Sequence, residues 1–140
     1  MRITTRGRYA LRASLALARL NSNNNPVSVN QLSAEEQISS VFLEQIFFNL
    51  KKAGIVNSVR GPGGGFQFAR PPDKITIRDI LEAAGEELNV ADCDKNAKTC
   101  NTTGKKCSSH DVWEDIGRIL DEYLKNTTLA MVLERNNPYK

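Results

Sequence analysis

A chain of 140 residues, 40% hydrophobic, can bury the core of one domain, and none of its apolar runs approaches the roughly 18 residues of a membrane span. Its N-terminus lacks the unbroken apolar stretch of a secretion signal, so a cytoplasmic protein with reduced thiols is expected. The net charge of +3 is unevenly placed: residues 1–70 carry nine Lys/Arg against three Asp/Glu, residues 71–140 ten against thirteen. A basic front half is expected to meet a polyanion.

The segment MRITTRGRYALRASLALARL places Tyr9, Ala10, Ala13, Leu17 and Leu20 on one face at helical spacing, predicting a helix over about 6–21. Arg2, Arg6, Arg8 and Arg12 precede or accompany its start with no acid among them, a pattern suited to phosphate contact as well as to a solvated face. The run from Asn21 to Pro26 reads as a loop. A short helix then spans about 29–37. After Ile38 a second begins that Ser39 or Ser40 can cap, with Phe42, Leu43, Ile46, Phe47 and Leu50 at helical spacing and Gly54 beyond its end. Short helix, tight turn and capped helix form the helix-turn-helix pattern, although ordinary helical packing produces the same signature.

Residues 55–60 and 66–69 read as two strands around a glycine-rich tip, Gly61, Pro62, Gly63 and Gly64, with Arg60 at its base. A hairpin directly after a helix-turn-helix makes a winged helix. The rival reading, a nucleotide-binding loop, fails because the glycines lead into a strand and Pro71-Pro72 rather than a helix N-terminus. Thr76 can cap a further helix carrying Ile77, Ile80, Leu81 and Ala84, ended by Gly85.

The three cysteines and the single histidine then fall together as Cys93, Cys100, Cys107 and His110, spaced C-x6-C-x6-C-x2-H in a polar run that cannot bury a core of its own. Three thiolates and one imidazole are the usual ligand complement of a soft or borderline metal. Core cysteines fit poorly among Lys, Asn and Asp. Disulfides fit poorly with an odd count, and a Cys–His nucleophile has no orienting third group nearby. Wide, even spacing without a C-x2–4-C knuckle favours an iron–sulfur cluster over structural zinc, which stays open. Past His110, Asp111 is expected to cap a long helix bearing Val112, Trp113, Ile116, Ile119, Leu120, Tyr123 and Leu124. A single domain has little surface left to cover such a stripe, so burial against a second copy is expected.

These residues together resemble the IscR-like family of winged-helix transcription regulators. The resemblance spans nearly the whole chain and rests on MRITTRGRYAL, FLEQIF, NSVRGPGGGF, the three cysteines with x2-His, and VWEDI. It implies a homodimer, DNA recognition by helix and wing, a cluster held by Cys93, Cys100, Cys107 and His110, and base-facing Glu44 and Gln45, with Glu44 helping decide which operators are accepted. A glutamate accepts from cytosine N4, and a glutamine pairs with adenine. Three positions depart from the family pattern. Each cysteine segment is one residue longer than in close relatives, and Val41 stands where they carry a hydroxyl. Arg8 stands where a nitric-oxide-sensing branch places an aspartate ligand, which favours His110 as fourth ligand and [2Fe–2S] over [4Fe–4S].

The expected protein is mainly α with a small β-hairpin wing: a winged helix-turn-helix DNA-binding region (1–70), a connecting helix (71–92), a cluster-binding loop (93–110) and a long C-terminal dimerisation helix (111–136). Its expected DNA-facing set is Arg2, Arg8, Ser39, Ser40, Phe42, Glu44, Gln45, Arg60, Gly61, Pro62, Gly63 and Gly64. It would be a non-enzymatic regulator binding double-stranded DNA at an imperfect palindrome. The alternatives are a winged-helix regulator with structural zinc, or a redox or cluster-carrier protein whose basic half binds a protein partner.

Overall fold

Helix α1 (Thr5–Leu20) buries Ala10, Ala13, Ala16 and Leu17, the stripe its 3.6-residue period dictates, and the three alanines let its neighbours approach closely. The computed structural model describes residues 2–21, 24–91 and 104–135; Cys93 and Cys100 lie outside this range. Helix α2 (Val29–Glu36) opens with a capping box, Ser28 and Gln31 bonding each other's backbone amides, and closes at Gln37, whose left-handed φ of 56° makes the tight turn into the next helix.

Helix α3 (Ser40–Lys52) buries Leu43, Ile46, Phe47 and Leu50. Ser39 stands at its N-cap with no side-chain hydrogen bond, so the hydroxyl cap expected there is not made. Beyond Gly54 (φ 76°) the chain turns into β1 (Val56–Val59), which pairs antiparallel with β2 (Gly65–Phe68) in the register Val56–Phe68 to Val59–Gly65. A backbone bridge from Val27 to Phe66 ties the hairpin to the chain ahead of α2. Gly65 is required there, because a Cβ would lie 2.2 Å from the Val27 carbonyl oxygen.

A short 3-10 turn (Pro72–Lys74) leads to α4 (Ile77–Ala83), capped as expected by Thr76 in a box with Asp79. Its Ile77, Ile80 and Leu81 join the core that α1 and α3 share, so the segment after residue 70 belongs to the same packed body as the winged helix. The C-terminal segment differs from expectation. Ser109, not Asp111, occupies the N-cap of α5 (His110–Asn126), and the helix does not continue to residue 136. It ends at Thr127, which is extended (φ −102°, ψ 117°), before a separate α6 (Leu129–Arg135) begins. The break has a cause: the Thr127 carbonyl accepts from Ile77 N–H, and Leu129 N–H donates to the Ile75 carbonyl, each at 2.9 Å. Those bonds draw the junction onto α4, and α6 then buries Leu129 against α1 and the 3-10 turn.

The result is a mainly helical winged helix-turn-helix with a two-stranded wing. Among the described residues no helix is long and apolar enough to cross a membrane.

Candidate nucleic-acid interface and metal site

With Leu43, Ile46, Phe47 and Leu50 buried, the helical period turns Val41, Glu44, Gln45, Phe48, Lys51 and Lys52 outward along one stripe of α3. Glu44 and Gln45, named from the sequence, are both exposed there. Ser39 is exposed and Ser40 half-buried at the helix start, where the amides have no side-chain cap. Phe42 is the exception in the expected DNA-facing set. It is half-buried, packed on the core and set edge-on to Tyr9 at 5.5 Å, so it lies against α1 rather than projecting outward.

The wing is fixed to α3 at two points. Phe66 stacks on Phe47 with ring centroids 4.8 Å apart, and Lys51 Nζ donates to Ser58 Oγ at 2.7 Å. At the tip, Gly64 N–H donates to the Gly61 carbonyl at 2.9 Å, with Pro62 and a left-handed Gly63 (φ 74°) between, the residue pattern of a type II turn. A side chain at Gly64 would place its Cβ 2.3 Å from the Val59 carbonyl oxygen, so the tip is as narrow as a backbone allows. Arg60, Gly61, Pro62 and Gly63 are exposed, Gly64 half-buried, and Arg60 makes no ion pair among the described residues.

The four early arginines divide. Arg12 pairs with Glu36 of α2 at 3.5 Å, and Arg6 donates to the Gly85 carbonyl at 3.4 Å. Arg2 is exposed with no partner among the described residues, and Arg8 reaches only its neighbour Thr5 at 3.1 Å. Their helix is held by a residue the sequence reading missed, Glu86. Its carboxylate accepts from Thr4 N–H at 3.1 Å, from the Thr4 hydroxyl, and from Gly7 N–H at 3.0 Å, capping α1 from 79 to 82 residues away. Burial acts to raise the Glu86 pKa, but the Thr4 and Gly7 hydrogen bonds and the nearby Arg6 charge together hold it below its ordinary value. Gly7 makes this possible, since a Cβ there would lie 2.5 Å from the carboxylate oxygen. No local signal marks Glu86; it reads as one of two acids after a helix-ending glycine.

The start of α5 carries the described part of the candidate metal set. Cys107 and His110 are both half-buried and share one turn, His110 N–H donating to the Cys107 carbonyl at 3.0 Å. Cys107 is a free thiol whose Sγ lies 3.1 Å from Ser109 Oγ, and that hydroxyl also accepts from Trp113 Nε1 at 3.0 Å. The His110 imidazole Nε2 is 3.7 Å from Glu114. Asp111, though near both, pairs with Lys106 at 3.0 Å; their hydrogen bond lowers the carboxyl and raises the amine from their ordinary values.

Helix α5 leaves most of its apolar stripe uncovered: Val112, Trp113, Ile116, Ile119 and Tyr123 are exposed, Ile119 by 61%. Only Leu124, with half-buried Leu120, turns to the core, while an ion pair from Arg78 to Asp121 fastens α5 to α4.

Comparison with known proteins matches residues 3–135 to the family described as Rrf2, iron-dependent transcriptional regulator. The chain is 38% identical to the HTH-type transcriptional regulator IscR of Vibrio cholerae over 136 residues, 97% of this chain and 77% of that protein. Among solved structures, CymR, the global cysteine regulator of B. subtilis, superposes with a TM-score of 0.82 at 26% identity, covering 98% of this chain and 99% of that one. IscR of T. potens superposes with a TM-score of 0.76 at 29% identity, covering 100% and 91% respectively.

Proposed function

The chain belongs to the Rrf2 family of transcriptional regulators and is an IscR-like, DNA-binding member rather than an enzyme; on that premise we propose that it works as a homodimer whose choice of DNA operator is set by an iron–sulfur cluster. The observation that carries the reading is the joining, on one small core, of an outward α3-and-wing surface to a turn holding a thiol and an imidazole. Glu44 and Gln45 read base edges in the major groove, Arg60 and the Gly61–Gly64 tip follow the neighbouring backbone or minor groove, and Arg2 and Arg8 contact phosphate. Ser39 and Ser40 leave the α3 amides open to a phosphate at the positive end of the helix dipole. Phe42 positions α3 through Tyr9 rather than touching DNA.

The donor set fits a cluster. Cys107 and His110 stand in one turn as a soft thiolate source and an imidazole, and Glu114 lies where a carboxylate orients a ligating histidine. On this reading His110 and the three cysteines, Cys93 and Cys100 included, are the ligands, while Asp111 pairs with Lys106. With histidine as fourth ligand, [2Fe–2S] is favoured over [4Fe–4S]. When bound, the cluster would supply chemistry that responds to iron and oxidant. The exposed α5 stripe pairs with that of a second copy, and two α3 helices about one DNA turn apart, roughly 34–36 Å, read an imperfect palindrome. Such a regulator works in the cytoplasm.

Anaerobic purification with iron and sulfide analysis tests the cluster. A visible chromophore with matching iron and sulfide is expected, whereas a colourless zinc-containing protein returns the structural-zinc reading. Substituting His110→Cys keeps the colour, slows its loss in air or chelator and lowers the reduction potential. If His110→Cys and His110→Ala both bleach at the parental rate, His110 is not a ligand. A gel shift against DNA upstream of the protein's own gene separates a regulator from a cluster carrier.

A further inference from the structure

Two of the most exposed large apolar side chains in the described structure stand on the outward stripe of α3. Val41 is 64% exposed and Phe48 60%, and they bracket Glu44 and Gln45. Single apolar side chains on a surface need no explanation. These two share the face that enters the groove, and the core covers neither, since Leu43, Ile46, Phe47 and Leu50 already fill the opposite face. Resting on the DNA-binding reading, we propose that Val41 and Phe48 are specificity-determining residues that read the C5-methyl groups of two thymines in each half-site.

The chemistry is selective for that partner. In the major groove the thymine methyl is the one apolar group a base pair presents, and apolar side chains recognise it by contact. Seven residues, close to two helical turns, separate Val41 from Phe48 and place them on one line, roughly 10.5 Å apart along the axis. That distance lies within the reach of one major groove, about 12 Å wide, so both side chains can face bases of the same half-site. The surroundings are those of a groove wall. Lys52 Nζ sits 5.6 Å from the Phe48 ring centroid, and Lys51, on the next turn, donates to Ser58 of the wing, so two cations stand at this end of the stripe, where phosphates would pass. A protein partner of apolar character would meet those two lysines unpaired, whereas a duplex satisfies both. The same stripe then combines polar readers at its centre with methyl readers at either end. It predicts operators with thymine placed on both sides of the bases read by Glu44 and Gln45.

A uracil scan tests this. Duplexes are selected by the intact protein from a random library, and the winning site is resynthesised with each thymine singly replaced by deoxyuridine, which keeps every hydrogen-bonding group and removes only the methyl. Two thymines per half-site are expected to lose about fourfold in affinity when demethylated, the effect of burying one methyl. Val41→Ala reduces the uracil penalty at one position and Phe48→Ala at the other, so that each variant binds the thymine and uracil duplexes more nearly alike at its own site than the parent does. Both residues are exposed, so the fold survives either change, and equal binding to random-sequence DNA controls for it. A flat scan for the parent, or variants that keep the full penalty at every position, overturns the methyl-reading assignment while leaving DNA binding intact. Selection that yields no preferred duplex overturns the regulator reading itself.

Discussion

Helix α3 and helix α5 are both amphipathic, yet the molecule treats them in opposite ways. Helix α3 has its main apolar face covered by its own domain: Leu43, Ile46, Phe47 and Leu50 sit in the core, Phe66 of the wing stacks on Phe47, and Glu44, Gln45, Lys51 and Lys52 turn outward with Val41 and Phe48 among them. Helix α5 hides only Leu124 and part of Leu120, and shows solvent Val112, Trp113, Ile116, Ile119 and Tyr123. A helix whose apolar face is covered from within can be aimed by its own domain. One whose face is uncovered must take its partner from outside. On the proposed reading, α3 is the helix that presents side chains and α5 the one that joins copies.

The sharpest way to break this comparison is Ile119→Glu, which places a charge at the centre of the α5 stripe and leaves α3 untouched. An unpaired charge in a buried interface costs about 3 kcal/mol or more, so association should weaken by roughly a hundredfold. Sedimentation and gel shift should report loss of dimer and of operator binding together. A monomer that still binds tightly would separate α5 from DNA recognition.

Next in size is the cap on α1. Replacing Glu86 by Gln removes the charge that three α1 donors share and should cost about 1–3 kcal/mol of stability. Because the folded carboxyl titrates below its ordinary value of 4.5, its contribution is present in full above that value and is lost as pH falls through the folded pKa. The parent should therefore lose stability on acidification below about pH 4.5, and Glu86→Gln should flatten that part of the curve in urea melts taken against pH. Gly7→Ala should resemble it at neutral pH, because its Cβ displaces the carboxylate.

Effects confined to DNA binding, with no change in stability, sharpen the α3 side of the comparison. Glu44→Ala should reorder which operator variants are preferred, by about 1–3 kcal/mol of discrimination. Arg60→Ala should instead weaken all duplexes evenly and reduce the slope of binding against salt by about 1. Competition assays across a set of operator variants and salt titrations distinguish the two.

Much of this molecule was legible in the chain, because its signals are local. Helical periodicity located α1 and α3, Thr76 marked the start of α4, and the glycines of the tip, two of them left-handed, announced the wing. The uncovered α5 stripe also followed from counting apolar faces against available core. What local pattern could not decide was set by contacts between distant segments. The apolar residues on both sides of Thr127 read as one helix, but the backbone bonds to Ile75 and Ile77 break it and fold α6 under α1. Phe42 looked like part of a reading face until Tyr9, thirty-three positions earlier, drew it inward. Glu86 reads as an ordinary surface acid, and only the packing of α4 against α1 brings its carboxylate to the amides of Thr4 and Gly7. Periodicity and turn chemistry act over a few residues and are written in order along the chain. A cap supplied across about eighty residues depends on where two helices meet, which only the folded core determines.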